Sequence, residues 1–357
     1  MKNRKIKLGF RVDVSNIVGT GHLMEVIVII ESLRKRVDLE PIVITNKDSF
    51  NLKKLKALGV NNIVYLTERI SEKEEAEKVV YILKKAGCEN LVIDLLGRSN
   101  EFYAYLKEHL ESTFVILDNH EHKIISATVI VNFSLAQNKK FYENAQGKYF
   151  VGPNYALLNE SINSRSPIII KEEVARILIS QGGVDPFELT AKIIKSLAEV
   201  ELKQRVNIIV GGAMTPRRLK ELDKMSTDLN GYYKIYSDIT QEQIFSIMEK
   251  TDLAITAPGN TLYELAYFGI PCLVISHHER HEQVAEAFAR QGAVINLGIG
   301  DKINEQYISA WTNKIIADKK KRLSLSENIT KIVDGKGITR VVNILIDSLS
   351  RNKISLH

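Results

Sequence analysis

Short apolar runs rich in β-branched residues alternate along the chain with longer amphipathic stretches. In the first half KIKLGFRV, LEPIVIT, NNIVYL, NLVIDLL, TFVILD and ATVIVNF read as strands. Between them HLMEVIVIIESLRKR, NLKKLKALG, EKEEAEKVVYILKKAG and NEFYAYLKEHL repeat their apolar positions at helical spacing. The strand runs are too uniformly apolar for a sheet with one wet face, so they predict parallel strands covered by helices on both sides. The pattern lapses at INSRSP. A second series then begins, with strands in VARILISQGG, RVNIIVGG, YYKIYSD, LAITAPG, CLVISHH and AVINLG. Its helices are PFELTAKIIKSLAEVE, PRRLKELDKMS, TQEQIFSIMEK, NTLYELAYFG and RHEQVAEAFARQG. This predicts two successive doubly wound α/β domains, residues 1–163 and 164–357, with a final helix after DGKG that can cap either one. Such domains carry their ligand loops at the carboxyl ends of their strands, and an inter-domain cleft is expected if those ends face each other.

Length and composition agree. At about 100–200 residues per domain, 357 residues suit two domains. Apolar residues at 45% and charged residues at 26% exclude a disordered or collagen-like chain. The 49 Lys and Arg exceed the 43 Asp and Glu by six, an excess too mild to indicate nucleic acid. The basic run from Asp318 to Arg322 reads as a solvated helix face. Cys88 and Cys272, both in apolar stretches, cannot build a disulfide framework or a zinc site and read as buried small hydrophobes. The apolar run at the start is broken by Arg11 and Asp13, and no run of 18 apolar residues exists. The expectation is a cytoplasmic protein with no membrane span.

Four loops carry candidate chemistry. Gly19-Thr20-Gly21-His22 follows a strand and opens a helix, where unpaired N–H groups suit phosphate. The positive helix end would keep His22 neutral and able to accept a proton. Gln181-Gly182-Gly183-Val184-Asp185-Pro186 joins a strand to a helix, and Asp185 with Pro186 reads as an N-cap and first-turn pair. Ala257-Pro258-Gly259-Asn260-Thr261 does the same, with Glu264 one turn in, where a carboxylate could take both hydroxyls of a ribose. Asn260 and Thr261 could equally serve as helix caps. His277, His278 and His281 lie near two Glu, but no ligand-spaced Cys or Asp accompanies them. That loop reads as a polar ligand contact, not a metal site. Asp94, Asp118 and Asn119 end strands, with His120 and His122 just beyond, so they too belong near a cleft.

Taken in order, these motifs resemble a known family. The series is Arg11-x-Asp13, Gly19-Thr20-Gly21-His22, Val151-Gly152-Pro153-Asn154-Tyr155-Ala156-Leu157-Leu158, Ser180 to Pro186, Gly259-Asn260-Thr261-x-x-Glu264, Gly269-Ile270-Pro271 and Asp334-Gly335-Lys336-Gly337. It is similar to the UDP-2,4-diacetamido-2,4,6-trideoxy-β-L-altropyranose hydrolases of pseudaminic acid biosynthesis, relatives of the two-domain GT-B glycosyltransferases. The resemblance implies a GT-B-like fold and metal-independent attack of water at C1 of the sugar, with inversion, releasing UDP and needing no cofactor. It implies that His22, helped by Asp13, acts on the water. Arg11, Gly19, Gly21, Asp94, Asp118, Asn119 and Tyr155 would fall on the sugar side. Gly182, Gly183, Gly259, Asn260, Thr261, Glu264 and His281 would hold the nucleotide. Three positions depart from the pattern: Glu25 where the family has Arg, Pro258 where Gly is frequent, and Asn119 in place of a second Asp. Two alternatives share these loops, a GT-B glycosyltransferase that uses the same donor and a non-catalytic nucleotide-sugar-binding protein. The expected partner is a UDP-sugar, and the sequence names no protein partner.

Overall fold

A computed structural model describes all residues except 1–4, 14–19, 48, 67–69, 118–125, 144–146, 184, 199–202, 213, 228, 230–231 and 352–357. The chain divides into two compact units, Met1–Glu160 with Lys336–His357, and Ser161–Gly335.

The first unit alternates strand and helix: β1 (Ile6–Val12), α1 (Gly21–Arg34), β2 (Leu39–Asn46), α2 (Ser49–Ala57), β3 (Asn62–Leu66), α3 (Glu72–Lys85), β4 (Asn90–Asp94), α4 (Asn100–His109) and β5 (Ser112–Leu117). Strands β6 (Val129–Asn132) and β7 (Lys148–Val151) complete a parallel sheet of order β3-β2-β1-β4-β5-β6-β7. The apolar pattern did not predict β7, whose Lys148 and Tyr149 are exposed at the sheet edge. Alternation sorts the side chains. Ile42, Ile44, Leu91 and Ile93 meet Val79 and Leu83 of α3. Gly9 lies on that same face, where an added Cβ would sit 2.6 Å from Leu83.

In the second unit β8 (Arg176–Ser180), α5 (Leu189–Ala198), β9 (Arg205–Val210), α6 (Pro216–Thr227), β10 (Tyr233–Ser237), α7 (Gln241–Met248), β11 (Leu253–Thr256), α8 (Asn260–Phe268), β12 (Cys272–Ser276), α9 (Glu279–Arg290) and β13 (Ile295–Ile299) follow in turn. The sheet is again parallel, in the order β10-β9-β8-β11-β12-β13. One face packs Ile177, Ile179, Leu273 and Ile275 against Leu189, Ile193 and Leu197 of α5. Helices α7, α8 and α9 join each other through the rings of Phe245 with Phe268 and Tyr263 with Phe288, and none of their residues enters that core. Helices α10 (Glu305–Ala317) and α11 (Lys319–Ile329) close the unit. Arg322 departs from the expected solvated face. It is 1% exposed and donates to the carbonyls of Ile315, Ile316, Lys171 and Glu172, so the basic run buries one of its charges to tie down a loop.

The last helix, α12 (Gly337–Arg351), belongs to the first unit and packs on α1. A Cβ on Gly337 would sit 2.2 Å from the carbonyl oxygen of Ala156, and Arg340 donates to that of Asn154 at 2.9 Å. Gly337 and Arg340 therefore pack the start of α12 on the GPNYALL segment. Tyr155 ends a 3-10 turn (Pro153–Tyr155) with its ring edge-on to Phe150. Cys88 and Cys272 are buried free thiols, and burial raises both above the ordinary thiol range.

Candidate functional site

Each sheet reverses its strand order once, and doubly wound sheets hold ligands at that point. In the first unit the reversal lies between β1 and β4. His22 opens the helix that follows β1, and Asp94 ends β4. His22 Nδ1 lies 2.5 Å from Asp94 Oδ1, with both residues buried. A buried carboxylate on Nδ1 fixes the ring's tautomer and turns Nε2 toward its function. Glu25, one turn along α1 and 1% exposed, completes a buried group whose ligand atoms all lie within 4.8 Å of one another. One imidazole and two carboxylates are also a donor set that could hold a divalent cation.

The expected pairing of Asp13 with His22 is corrected. Asp13 takes two hydrogen bonds from Arg11, at 2.5 and 2.8 Å, and the N–H of Asn46. Glu75 holds Arg11 Nε at 2.9 Å, and Arg98 closes the network against Glu75 and Asp13. Burial opposes the Arg11 charge, but Asp13 and Glu75 outweigh it and raise the guanidinium above its ordinary value. Arg11, expected beside the sugar, is 3% exposed and spends its donors inside this network. The reason is strand alternation. Residues 9, 11 and 13 face α3, whereas Asp94 stands in register with Val12 and points the other way. Gly19, Asp118, Asn119, His120 and His122 lie outside the described residues. Thr20 precedes α1 without a side-chain cap, and Gly21 is its first residue.

In the second unit the reversal lies between β8 and β11, and both glycine loops sit there. Gly182 adopts φ 83°, open to glycine at no cost. Gly183 is overlaid by Gly211, on which a Cβ would meet the Gly183 carbonyl oxygen at 2.1 Å. The helix expected from Pro186 begins at Leu189 instead. Asp185 takes a positive φ of 47°, and its carboxylate reaches forward to the N–H groups of Leu189 and Thr190, both at 2.8 Å. Helix α8 is different. Its N-cap is Gly259, no side chain caps it, and Asn260 and Thr261 are its first residues. A helix start left without a side-chain cap can donate its N–H groups to an anion.

Glu264 lies in the next turn and accepts from Gln241 Nε2 at 2.7 Å. Its carboxyl sits deep among neighbouring atoms although part of the residue is exposed. Burial pushes it up to about 7, against the Gln241 hydrogen bond. At the end of β12, His277 is buried beside the Gln181 carbonyl and Asp185, and its ring meets Phe187 edge-on at 5.9 Å. The His281 ring lies tilted against His278, with ring centroids 4.2 Å apart. Burial holds the His277 and His281 rings neutral, His281 down to about 3. Sequence reasoning named Gln181 only as part of its loop. Its signal was a long amide beside two glycines, buried at a strand end.

No family model matches the chain. The spore coat polysaccharide biosynthesis protein SpsG of Bacillus subtilis is 28% identical over 280 residues, covering 77% of this chain and 81% of its own. The pseudaminic acid cytidylyltransferase and UDP-2,4-diacetamido-2,4,6-trideoxy-β-L-altropyranose hydrolase of Helicobacter pylori is 26% identical over 224 residues, covering 62% of this chain and 39% of that protein. That name contains the activity of the family the motifs resemble. Among solved structures, Staphylococcus aureus MnaA with UDP matches with a TM-score of 0.67 at 11% identity, covering 97% of each chain. Acinetobacter baumannii MurG matches at 0.66 and 12% identity, covering 96% of this chain and 99% of its own. The chain thus has the fold of the GT-B glycosyltransferases and nucleotide-sugar epimerases, two Rossmann-like domains each built on a parallel sheet.

Proposed function

We propose that the protein hydrolyses a UDP-linked diacetamido-trideoxy sugar at C1, releasing the free sugar and UDP. The observation that carries this reading is the buried His22–Asp94 pair at the switch point of the first sheet. Asp94 takes the Nδ1 side of the ring, so Nε2 receives a proton from water as its oxygen bonds to C1. The C1–O bond breaks, and its electron pair leaves with the diphosphate. Asp94 then steadies the imidazolium. The second unit holds UDP, with the diphosphate on the N–H groups of Gly183, Asn260 and Thr261 and the ribose hydroxyls on Glu264. Fixed N–H donors steady the charge growing on the leaving group without reorganising. The choice of sugar rests on the Helicobacter pylori relative and the motif order.

His22→Ala tests the reading. Turnover should fall at least about 100-fold while UDP affinity stays within about twofold. Normal turnover at unchanged binding removes His22 from the chemistry. The second reading, transfer of the sugar to an acceptor, is supported by the fold shared with glycosyltransferases and would use the same donor site.

A further inference from the structure

The α5 face of the second sheet carries buried polar atoms that neither the diphosphate nor the ribose uses. Gln181, 2% exposed, has its amide nitrogen and its amide oxygen both buried without a hydrogen-bond partner among the described residues. His277, 7% exposed, has Nε2 in the same state, and so does His281 at Nδ1. Native proteins leave few such atoms, so several past the ends of β8 and β12 and in the first turn of α9 point to a ligand. Gln181 continues the alternation of Ile177 and Ile179, and His277 that of Leu273 and Ile275, so both fall on the face covered by α5. Between them β11 runs out to Ala257, a small side chain that offers the pair no polar partner.

The groups are neutral. A carboxamide and an imidazole held uncharged by burial offer donors and acceptors together, which match a hydroxyl or an amide better than a phosphate. Their side of the sheet identifies the part of the ligand. Glu264, bonded to Gln241, is the ribose ligand of the proposed UDP site and lies on the side of α7 and α8. Gly182, Gly183 and Gly259 stand at the strand ends between the two sides. A nucleotide sugar whose diphosphate lies on those glycines directs its sugar, not its base, toward α5.

We propose that Gln181 and His277 form a specificity subsite that reads an uncharged hydroxyl or acylamino group on the glycosyl part of the nucleotide sugar. This rests on the reading of the second unit as the UDP site. Isothermal titration with UDP and with UDP-N-acetylglucosamine tests it on wild type, Gln181→Leu, the milder Gln181→Met, and His277→Phe, with thermal melting to confirm folding. The expected result is wild-type affinity for UDP-N-acetylglucosamine above that for UDP. Each variant then loses about tenfold for the sugar nucleotide and less than about twofold for UDP. Equal losses for both ligands, or no loss for either in a folded variant, overturn the subsite. A wild type that binds UDP but gains nothing from the sugar also overturns it and leaves the UDP site standing. A wild type that does not bind UDP overturns both.

Discussion

The proposed ribose contact of Glu264 predicts that UDP binding depends on pH in a fixed direction. Burial raises its carboxyl from 4.5 to about 7 in the free protein, so near neutrality half the molecules carry a proton there. Ribose hydroxyls donate to a carboxylate and favour its ionised form, which pulls the value back toward the ordinary range in the complex. The sign follows: protons bind more tightly to the free protein than to the complex, so UDP affinity rises with pH and levels off above about 7. Taking the complex at its ordinary value, the dissociation constant carries a factor of about 1 + 10^(7−pH), roughly 11 at pH 6 and about 1.1 at pH 8. That is a weakening of about tenfold, or about 1.4 kcal/mol. The terminal phosphate of UDP titrates near about 6 and adds its own slope, so the quantity to compare is wild type against Glu264→Gln, which lacks the titrating group. Calorimetry across pH 6–8 reads the affinities, and buffers of differing ionisation enthalpy count about half a proton released at pH 7. Identical slopes in the two proteins would refute the ribose role of Glu264.

Asp94→Asn keeps the shape of the His22 partner and removes its charge, and should lower turnover about 10–100-fold with UDP affinity unchanged in the same titration. Chelation with EDTA should leave turnover intact; loss of activity restored by a divalent cation would reassign His22, Glu25 and Asp94 to a metal. Arg11→Met leaves Asp13 and Glu75 to share Arg98 alone and should cost about 2–3 kcal/mol in urea unfolding, with the Arg11→Met/Glu75→Met double variant recovering part of it. Gly211→Ala drives a Cβ into the backbone of Gly183 and should weaken UDP binding at least about tenfold, whereas Gly182→Ala, with nothing within 4 Å, meets only its positive φ and costs about 1–2 kcal/mol of stability.

The paired αβ series was legible because parallel strands buried on both faces are largely apolar, and β11 (LAIT) and β12 (CLVIS) stand out as such runs. Strand β7 was not, since an edge strand of four residues whose first two are exposed has no apolar signature. The start of α5 misled for a different reason. An Asp-Pro pair is the local signal of a cap and first turn, but Asp185 caps from a distance through an αL backbone that sequence does not announce. His22 was readable from its helix-start motif. Its partner was not, because Asp13 and Asp94 are both acids at strand ends, and only the register of β1 with β4 decides which faces α3. Arg322 looked like one more lysine-run charge until its neighbours' carbonyls gave it a reason to be inside.

The central claim is that water, and not an acceptor molecule, takes the sugar from UDP. The direct measurement is incubation of the protein with UDP-2,4-diacetamido-2,4,6-trideoxy-β-L-altropyranose in ¹⁸O-water without acceptor, followed by mass spectrometry of both products. Free sugar carrying the heavy oxygen at C1, with unlabelled UDP, is the result expected from attack by water activated at His22. Label in the UDP phosphate, or no release until an acceptor is supplied, would contradict it.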